Sequence, residues 1–585
     1  MSTRWKIRPF DADRVGALTR EAGLSPLVAQ LLLNRGVADA ATARTFLDAR
    51  LTSLHDPATL PGAVEAAERI AAAIREGRKI VIYGDYDVDG VCGTSLLWSC
   101  LKLAGAKDVE YYIPHRVDEG YGVNSEALIQ LVRGNKAELV ITVDCGISAI
   151  PQARLAKDLG VGLIITDHHT IGPELPEADV LVHPRLPGSV YPFGDLCGCG
   201  VAFKVAWQVC KAFGDGKKAS PHLRDFLMKS LSQVALASVA DVVPITGENR
   251  LLVKHGLAGL AESPSLGLQA LLRVSAVDPA KGVNTGQVGF RIAPRINAAG
   301  RLERAMLAVE LLTTEDFARA GELASNLDEF NTRRQELEST IVREAHEMVD
   351  AGGGLGERGA IVVGRKGWHP GVIGIVAGRM AEAYHRPAIV VALGDGISQG
   401  SARSVPGFNL YEAIAACSGG LEGFGGHSAA AGLKIMNSAF DDFARRFDDH
   451  CRSALTAEHR QKVLNVDAEV PLAAMTTRVV EDIDRMEPFG VGNPAPLVAV
   501  SNARLVGDPR YVGEGGRTVQ LRLGQGESVV KAVAFGQADR WKKFAKGAAV
   551  SVVGQPQIND YNGRREVQIL IRDFKAEDGA HAEPA

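Results

Sequence analysis

Three aspartates, Asp85, Asp87 and Asp89, alternate through the string YGDYDVDG directly after the apolar run KIVIY. Carboxylates this close repel one another unless a cation neutralises them, and oxygen ligands suit Mg²⁺ or Mn²⁺. A DxDxDG string also opens calcium loops of the EF-hand type. That loop needs a glutamate at its twelfth position, which counted from Asp85 is Leu96. Two more polar clusters follow apolar runs: Asp144 in ITVDCGIS, and Asp167, His168 and His169 in ITDHH. One aspartate after a strand is ordinarily a helix cap, and one histidine an ordinary surface or core residue. Three such clusters at three strand ends of one sheet point instead to a shared centre. Asp241 in LASVADVVP closes a stretch of helical period before Pro244, and alone it reads as a helix-terminal aspartate.

The elements that must hold these residues are legible in the patterning. Over 80–170, short Val/Ile runs ending in Gly or Asp alternate with amphipathic stretches, the signature of βα units around a buried parallel sheet. Ligands of such sheets bind beyond the carboxyl ends of the strands, where the acidic clusters fall. A polar, alanine-rich segment at 313–352 lacks proline and predicts one or two long helices. A glycine cluster then opens a second α/β region containing WHPGVIGIVAGR, GSARS and GGHSAAAG. From about 465 the pattern turns to strands: LVAVSNARLV, TVQLRLG, VVKAVAFG, the short helix ADRWKKFA, AVSVVGQPQI and REVQILIRDF. Five strands with a helix between the third and fourth predict an OB-fold barrel, a shape that grips single strands.

Composition narrows the class. At 585 residues the chain predicts several domains, and 46% apolar with 23% charged residues is ordinary for globular proteins. The opening MSTRWKIRPFDADR lacks a signal-peptide run and no stretch of about 18 apolar residues occurs, so a cytoplasmic location and no membrane contact are expected. Eight cysteines are too few for a disulfide framework, and the CxC of Cys197 and Cys199 has no second pair at zinc spacing. The net charge of −4 carries no nucleic-acid signal. Residues 501–575, however, hold 13 Lys+Arg against 7 Asp+Glu, a basic module in an acidic chain.

DYDVDG, VDCG, DHH and ASVADVVP occur in the order and approximate spacing of the DHH phosphoesterases, which the chain resembles. FRIAPRINAAGRL, WHPGVIGIVAGR and GFGGHSAAAG are similar to its RecJ branch of single-strand-specific exonucleases. The resemblance covers nearly the whole chain. It implies an N-terminal helical extension (1–60), a DHH catalytic domain with a parallel sheet (61–300), a long helical connector (301–352), and a second α/β, DHH-associated domain (353–460). A C-terminal OB-fold barrel (461–576) and a disordered tail (577–585) complete the expected α/β architecture. Two Mn²⁺ or Mg²⁺ ions would be held by Asp87, Asp89, Asp144, His168 and Asp241, with Asp144 bridging. His169 would face the scissile phosphate, and Asp85 would be a ligand or would orient one. Related pyrophosphatases place a histidine where this chain has Tyr83.

The resemblance further implies that Arg116, Asn297, Arg301, Ser401, Arg403 and His427, the last beside Gly425 and Gly426, bind the substrate. The expected activity is processive 5′→3′ hydrolysis of single-stranded DNA to 5′-mononucleotides in recombination and repair. Single-stranded-DNA-binding protein and a RecQ-type helicase are the implied partners. Two alternatives stand beside it: another DHH phosphodiesterase, of oligoribonuclease or cyclic-dinucleotide type, and a non-catalytic single-strand-binding scaffold. The basic barrel argues against the first and the filled ligand positions against the second.

Overall fold

A computed structural model describes residues 3–116, 118–561 and 564–577; the expected tail lies, apart from Glu577, outside the described residues. The chain forms two compact units, one of Leu54–Val243 and Gly247–Gln461, the other of Met1–Ser53, Pro244–Thr246 and Lys462–Ala585.

The larger unit contains the expected parallel sheet. Its strands lie in the order Val109–Tyr112, Ile80–Tyr83, Leu139–Val143, Gly162–Thr166 and Val180–Val182. Every pairing is parallel, with Tyr83 beside Thr142 and Val143 beside Thr166, so the carboxyl ends that carry Asp85, Asp144 and Asp167 line up. Ile80–Tyr83 and Leu139–Val143 are buried at every position, because helices cover the sheet and leave no polar face. A single helix spans Phe317–Ala351, and Asp316 starts it by accepting from the amides of Ala318 and Arg319.

Beyond that helix lies a second, mixed sheet in the order Leu421–Gly426, Ala430–Met436, Ile397–Arg403, Ala388–Leu393 and Ile361–Lys366. Only its last two strands run parallel to each other. Ala430 pairs with Arg403 and Gly432 with Ser401, which sets the GGH turn beside the end of the GSARS strand.

In the smaller unit, Val498–Leu505 pairs with both Thr518–Gln525 and Ala549–Tyr561. Thr518–Gln525 continues to Ser528–Phe535, then by a parallel pairing to Arg564–Ala576, which returns to Ala549–Tyr561. The ring therefore closes, and the helix Ala538–Trp541 falls between its third and fourth strands as the pattern predicts. N-terminal residues share the barrel's core: Leu18, Val28, Leu31 and Leu32 cluster with Val500, Leu521 and Trp541. Arg4–Ile7 adds a parallel pairing with Val463–Val466. Among the described residues, no helix is long and apolar enough to cross a membrane.

Candidate metal centre

Each strand end presents its acid through a different local device. Asp87 is the N-cap of the helix Val88–Leu103, its carboxylate accepting from the amides of Asp89 (2.9 Å) and Gly90 (3.1 Å). Within the first turn, Asp89 is buried and receives both amides at the start of the helix Gly198–Ala212, from Gly198 (2.6 Å) and Cys199 (2.7 Å). A helix N-terminus stabilises that carboxylate charge. Asp144 adopts a left-handed φ of 64°, uncommon for a residue with a side chain. Its conformation is held by the bond from its own amide to Thr166 O (3.1 Å) and by the Tyr121 hydroxyl, which donates to its carbonyl at 3.2 Å. Asp241 caps the C-terminal end of the helix Pro221–Ala240.

The five ligands expected from the sequence converge, together with Asp85. Atoms of Asp85, Asp87 and Asp144 lie within 4.8 Å of one another, as do those of Asp89, His168 and Asp241, and those of Asp144, His168 and His169. His168 Nε2 is 3.1 Å from Asp144 Oδ1, 3.6 Å from Asp241 and 3.7 Å from Asp89. Burial, reinforced by the neighbouring carboxylates, pushes Asp144 and Asp85 well above the ordinary carboxylate range and Asp241 up to about 8. Asp85 Oδ1, Asp144 Oδ1 and His168 Nε2 are buried without hydrogen-bond partners. Crowded carboxylates with unused inward lone pairs fit divalent cations.

The DHH aspartate does something else. Asp167 accepts from the amides of Ile147, His168 and His169 and from His169 Nδ1 at 2.8 Å, which fixes the His169 imidazole and the backbone of both histidines. Burial alone would lower His169, but the bond to Asp167 and the surrounding acids raise it to about 9. Tyr83, by contrast, is a core residue: its hydroxyl donates to Gly122 O and accepts from Asn124 N.

Two glycines permit this crowding. A Cβ on Gly198 would stand 2.4 Å from Asp144 Oδ1, and one on Gly300 would stand 2.4 Å from Tyr86 O. The LCGCG segment thus contributes through backbone rather than through its cysteines, which are buried. Neither that segment nor Tyr121 nor Tyr86 was signalled by local spacing. Asn297 accepts from the amide of Val88 at 3.2 Å, so it steadies the acidic loop.

Cations gather beside that loop. The Arg116 guanidinium lies 4.8 Å above the ring of Tyr86, between Asp85 and Asp87 in sequence. Burial, together with the nearby charges of Arg116, Arg334 and Arg403, lowers Arg301 to about 10, so these guanidiniums sense one another. Arg301 donates to Gly371 O at 3.0 Å, and Arg403 donates to Ser401 Oγ at 3.2 Å along one face of their extended strand. His427 is exposed at the hairpin turn, where its Nδ1 accepts from the Ala429 amide. On the barrel, Phe535 is 62% and Tyr511 40% exposed.

Three family models match in succession: the DHH family N-terminal domain over 79–231, the DHHA1 domain over 357–453 and the RecJ OB domain over 466–573. The single-stranded-DNA-specific exonuclease RecJ of Dickeya dadantii is 35% identical over 94% of this chain and 96% of its own length. The chain belongs to the RecJ family. A second RecJ, from Bacillus subtilis, is 40% identical over 97% of this chain and 70% of its own. The crystal structure of RecJ from Thermus thermophilus in complex with Mn²⁺ superposes with a TM-score of 0.83 at 31% identity, covering all of this chain and 81% of that one.

Proposed function

We propose that this RecJ-family chain is a metal-dependent exonuclease that degrades single-stranded DNA from its 5′ end to 5′-mononucleotides, in DNA recombination and repair. The observation that carries the reading is the adjacency of a buried carboxylate–imidazole cluster to a group of mutually repelling guanidiniums through Tyr86. One side suits cations and the other a polyanion.

In this reading Asp85, Asp87, Asp89, Asp144, His168 and Asp241 hold two Mn²⁺ or Mg²⁺ ions, with Asp144 shared. Bound there, the ions polarise the phosphodiester and lower the pKa of water. His169, kept protonated at Nδ1 by Asp167, presents its ring to a phosphoryl oxygen. Arg116, Arg301, Ser401 and Arg403 bind phosphates of the strand, and a 5′-terminal phosphate, a compact dianion, suits the Ser401–Arg403 pair. His427 borders that pocket, and Asn297 acts by holding the loop of ligands. The barrel contributes affinity for single strands through its basic surplus and exposed aromatic rings. Cooperation with single-stranded-DNA-binding protein and a RecQ-type helicase, in the cytoplasm, is supported by family resemblance.

The test is Mn²⁺-dependent digestion of 5′-phosphorylated single-stranded DNA, duplex DNA and short RNA, each labelled at one end. Stepwise release of mononucleotides from the 5′ end of the single strand is expected. Preferential cutting of the short RNA would favour the oligoribonuclease alternative.

A further inference from the structure

Phe290 exposes 86% of its surface, although it lies in the helical run that leads into the functional site. Val288 and Ile292 on either side are buried at 0% and 1%, so the ring is turned outward by the backbone itself. Val288–Ile292 form one π-helical turn, an insertion often found at functional sites. The turn is anchored. Arg291 donates to Ala276 O, while Arg295 donates to Asp328 Oδ1 at 2.8 Å and to Val274 O at 3.1 Å. An aromatic ring held out to water on a fixed backbone gains nothing for the fold, since burial is what stabilises it.

Its place along the helix says what covers it. Asn297 and Arg301 follow Phe290 by seven and eleven residues along the same helical run. The first holds the Val88 amide of the acidic loop, and the second belongs to the cation group. At 1.5 Å per residue, Phe290 lies roughly 10 Å from Asn297 and 16 Å from Arg301 along the axis. A stacked strand rises 3.4 Å per nucleotide, so that span is about three to five nucleotides. Gly289 beside it is exposed, and a Cβ there would meet nothing within 4 Å, so the approach to the ring is open.

We propose that Phe290 is a stacking platform for one nucleobase of the strand being cut, a few nucleotides from the cleaved bond, and that it positions the strand relative to the metal centre. The inference rests on the exonuclease reading above. Phe290 touches no reacting atom, so it is a positioning residue. Every nucleobase has a π face, and the platform is therefore indifferent to sequence.

The experiment compares the unaltered protein with Phe290→Ala, Phe290→Leu and Phe290→Trp, each first shown by thermal unfolding to be folded. Substrates are a 5′-phosphorylated dinucleotide, a single-stranded 20-mer, and 20-mers carrying one abasic site at successive positions. Expected is a rise in KM on the 20-mer of about 5- to 150-fold for Ala and Leu, the range of one base stack, with little change for Trp. The dinucleotide is cut equally by all. One abasic position near the 5′ end weakens the unaltered protein and leaves Phe290→Ala unaffected. Equal KM for Ala and unaltered protein on the 20-mer, an equal loss on the dinucleotide, or full activity with Leu would overturn the platform while leaving the exonuclease reading in place. No cutting of any strand by the unaltered protein would overturn both.

Discussion

His168 Nε2 and Asp144 Oδ1 stand 3.1 Å apart in a buried site, and neither atom makes a hydrogen bond. Each keeps a lone pair free, and burial raises Asp144, with the charges of Asp89, Asp87 and Asp85 raising it further. Replacing Asp144 by Asn keeps the shape and removes the charge. Cleavage in Mn²⁺ is expected to fall by several orders of magnitude, with single-strand affinity nearly unchanged because phosphate contacts elsewhere supply it. Scanning calorimetry adds a second readout: saturating Mn²⁺ raises the Tm of the unaltered protein, by about 2.7 kcal/mol of stability at a hundredfold excess over Kd, and does so far less for Asp144→Asn. Residual activity above a tenth would remove the shared-ligand role.

Gly198 donates to Asp89 while leaving room for Asp144, and a methyl there would stand 2.4 Å from Asp144 Oδ1. Gly198→Ala is expected to keep the fold and lose at least a hundredfold in activity, since displacement by about 1 Å at a reacting site costs that much. The check is a Mn²⁺ titration of activity beside circular dichroism. A variant with unaltered metal dependence would show that the loop yields.

Arg403 donates to Ser401 Oγ and is within electrostatic reach of Arg301 and Arg116. On paired substrates with 5′-phosphate or 5′-hydroxyl, Arg403→Ala should lose mainly the advantage of the phosphate. A charge-assisted bond of about 1.5–3 kcal/mol corresponds to roughly 10- to 150-fold in kcat/KM. An unchanged preference would take Arg403 out of the end pocket.

Deleting 465–585 is a poor test of the barrel, because the N-terminal helices bury Leu18, Val28 and Leu31 against it and would be left exposed. Surface changes avoid that damage. Arg522 pairs across the strands with Lys531, and Phe535 with Thr518, on the outer face of the second and third barrel strands. Arg522→Ala with Phe535→Ala should weaken binding of long single strands about tenfold or more and reduce the salt slope by about 0.7, the share of one phosphate contact. Binding measured from 50 to 200 mM salt decides it; an unchanged slope would move the strand to another face.

The residues by themselves determined the sheet, its acidic ends and the barrel. A buried parallel strand must be apolar throughout and polar where it stops, and a barrel strand must alternate, so both leave local periods in the chain. Asp85, Asp144 and His168 were therefore visible as strand ends before any contact was known. What joins distant segments left no period. Asp89 finds its amide donors 109 residues away at Gly198, and Val88 finds Asn297 across 209. LCGCG read as a cysteine pair, although its function lies in backbone N–H groups common to every residue except proline. The N-terminal helices likewise carry an ordinary amphipathic pattern, and only the tertiary structure decided that their apolar face completes the barrel core. A hydrophobic stripe encodes that it must be covered, and the choice of partner depends on shape and register set by the whole fold.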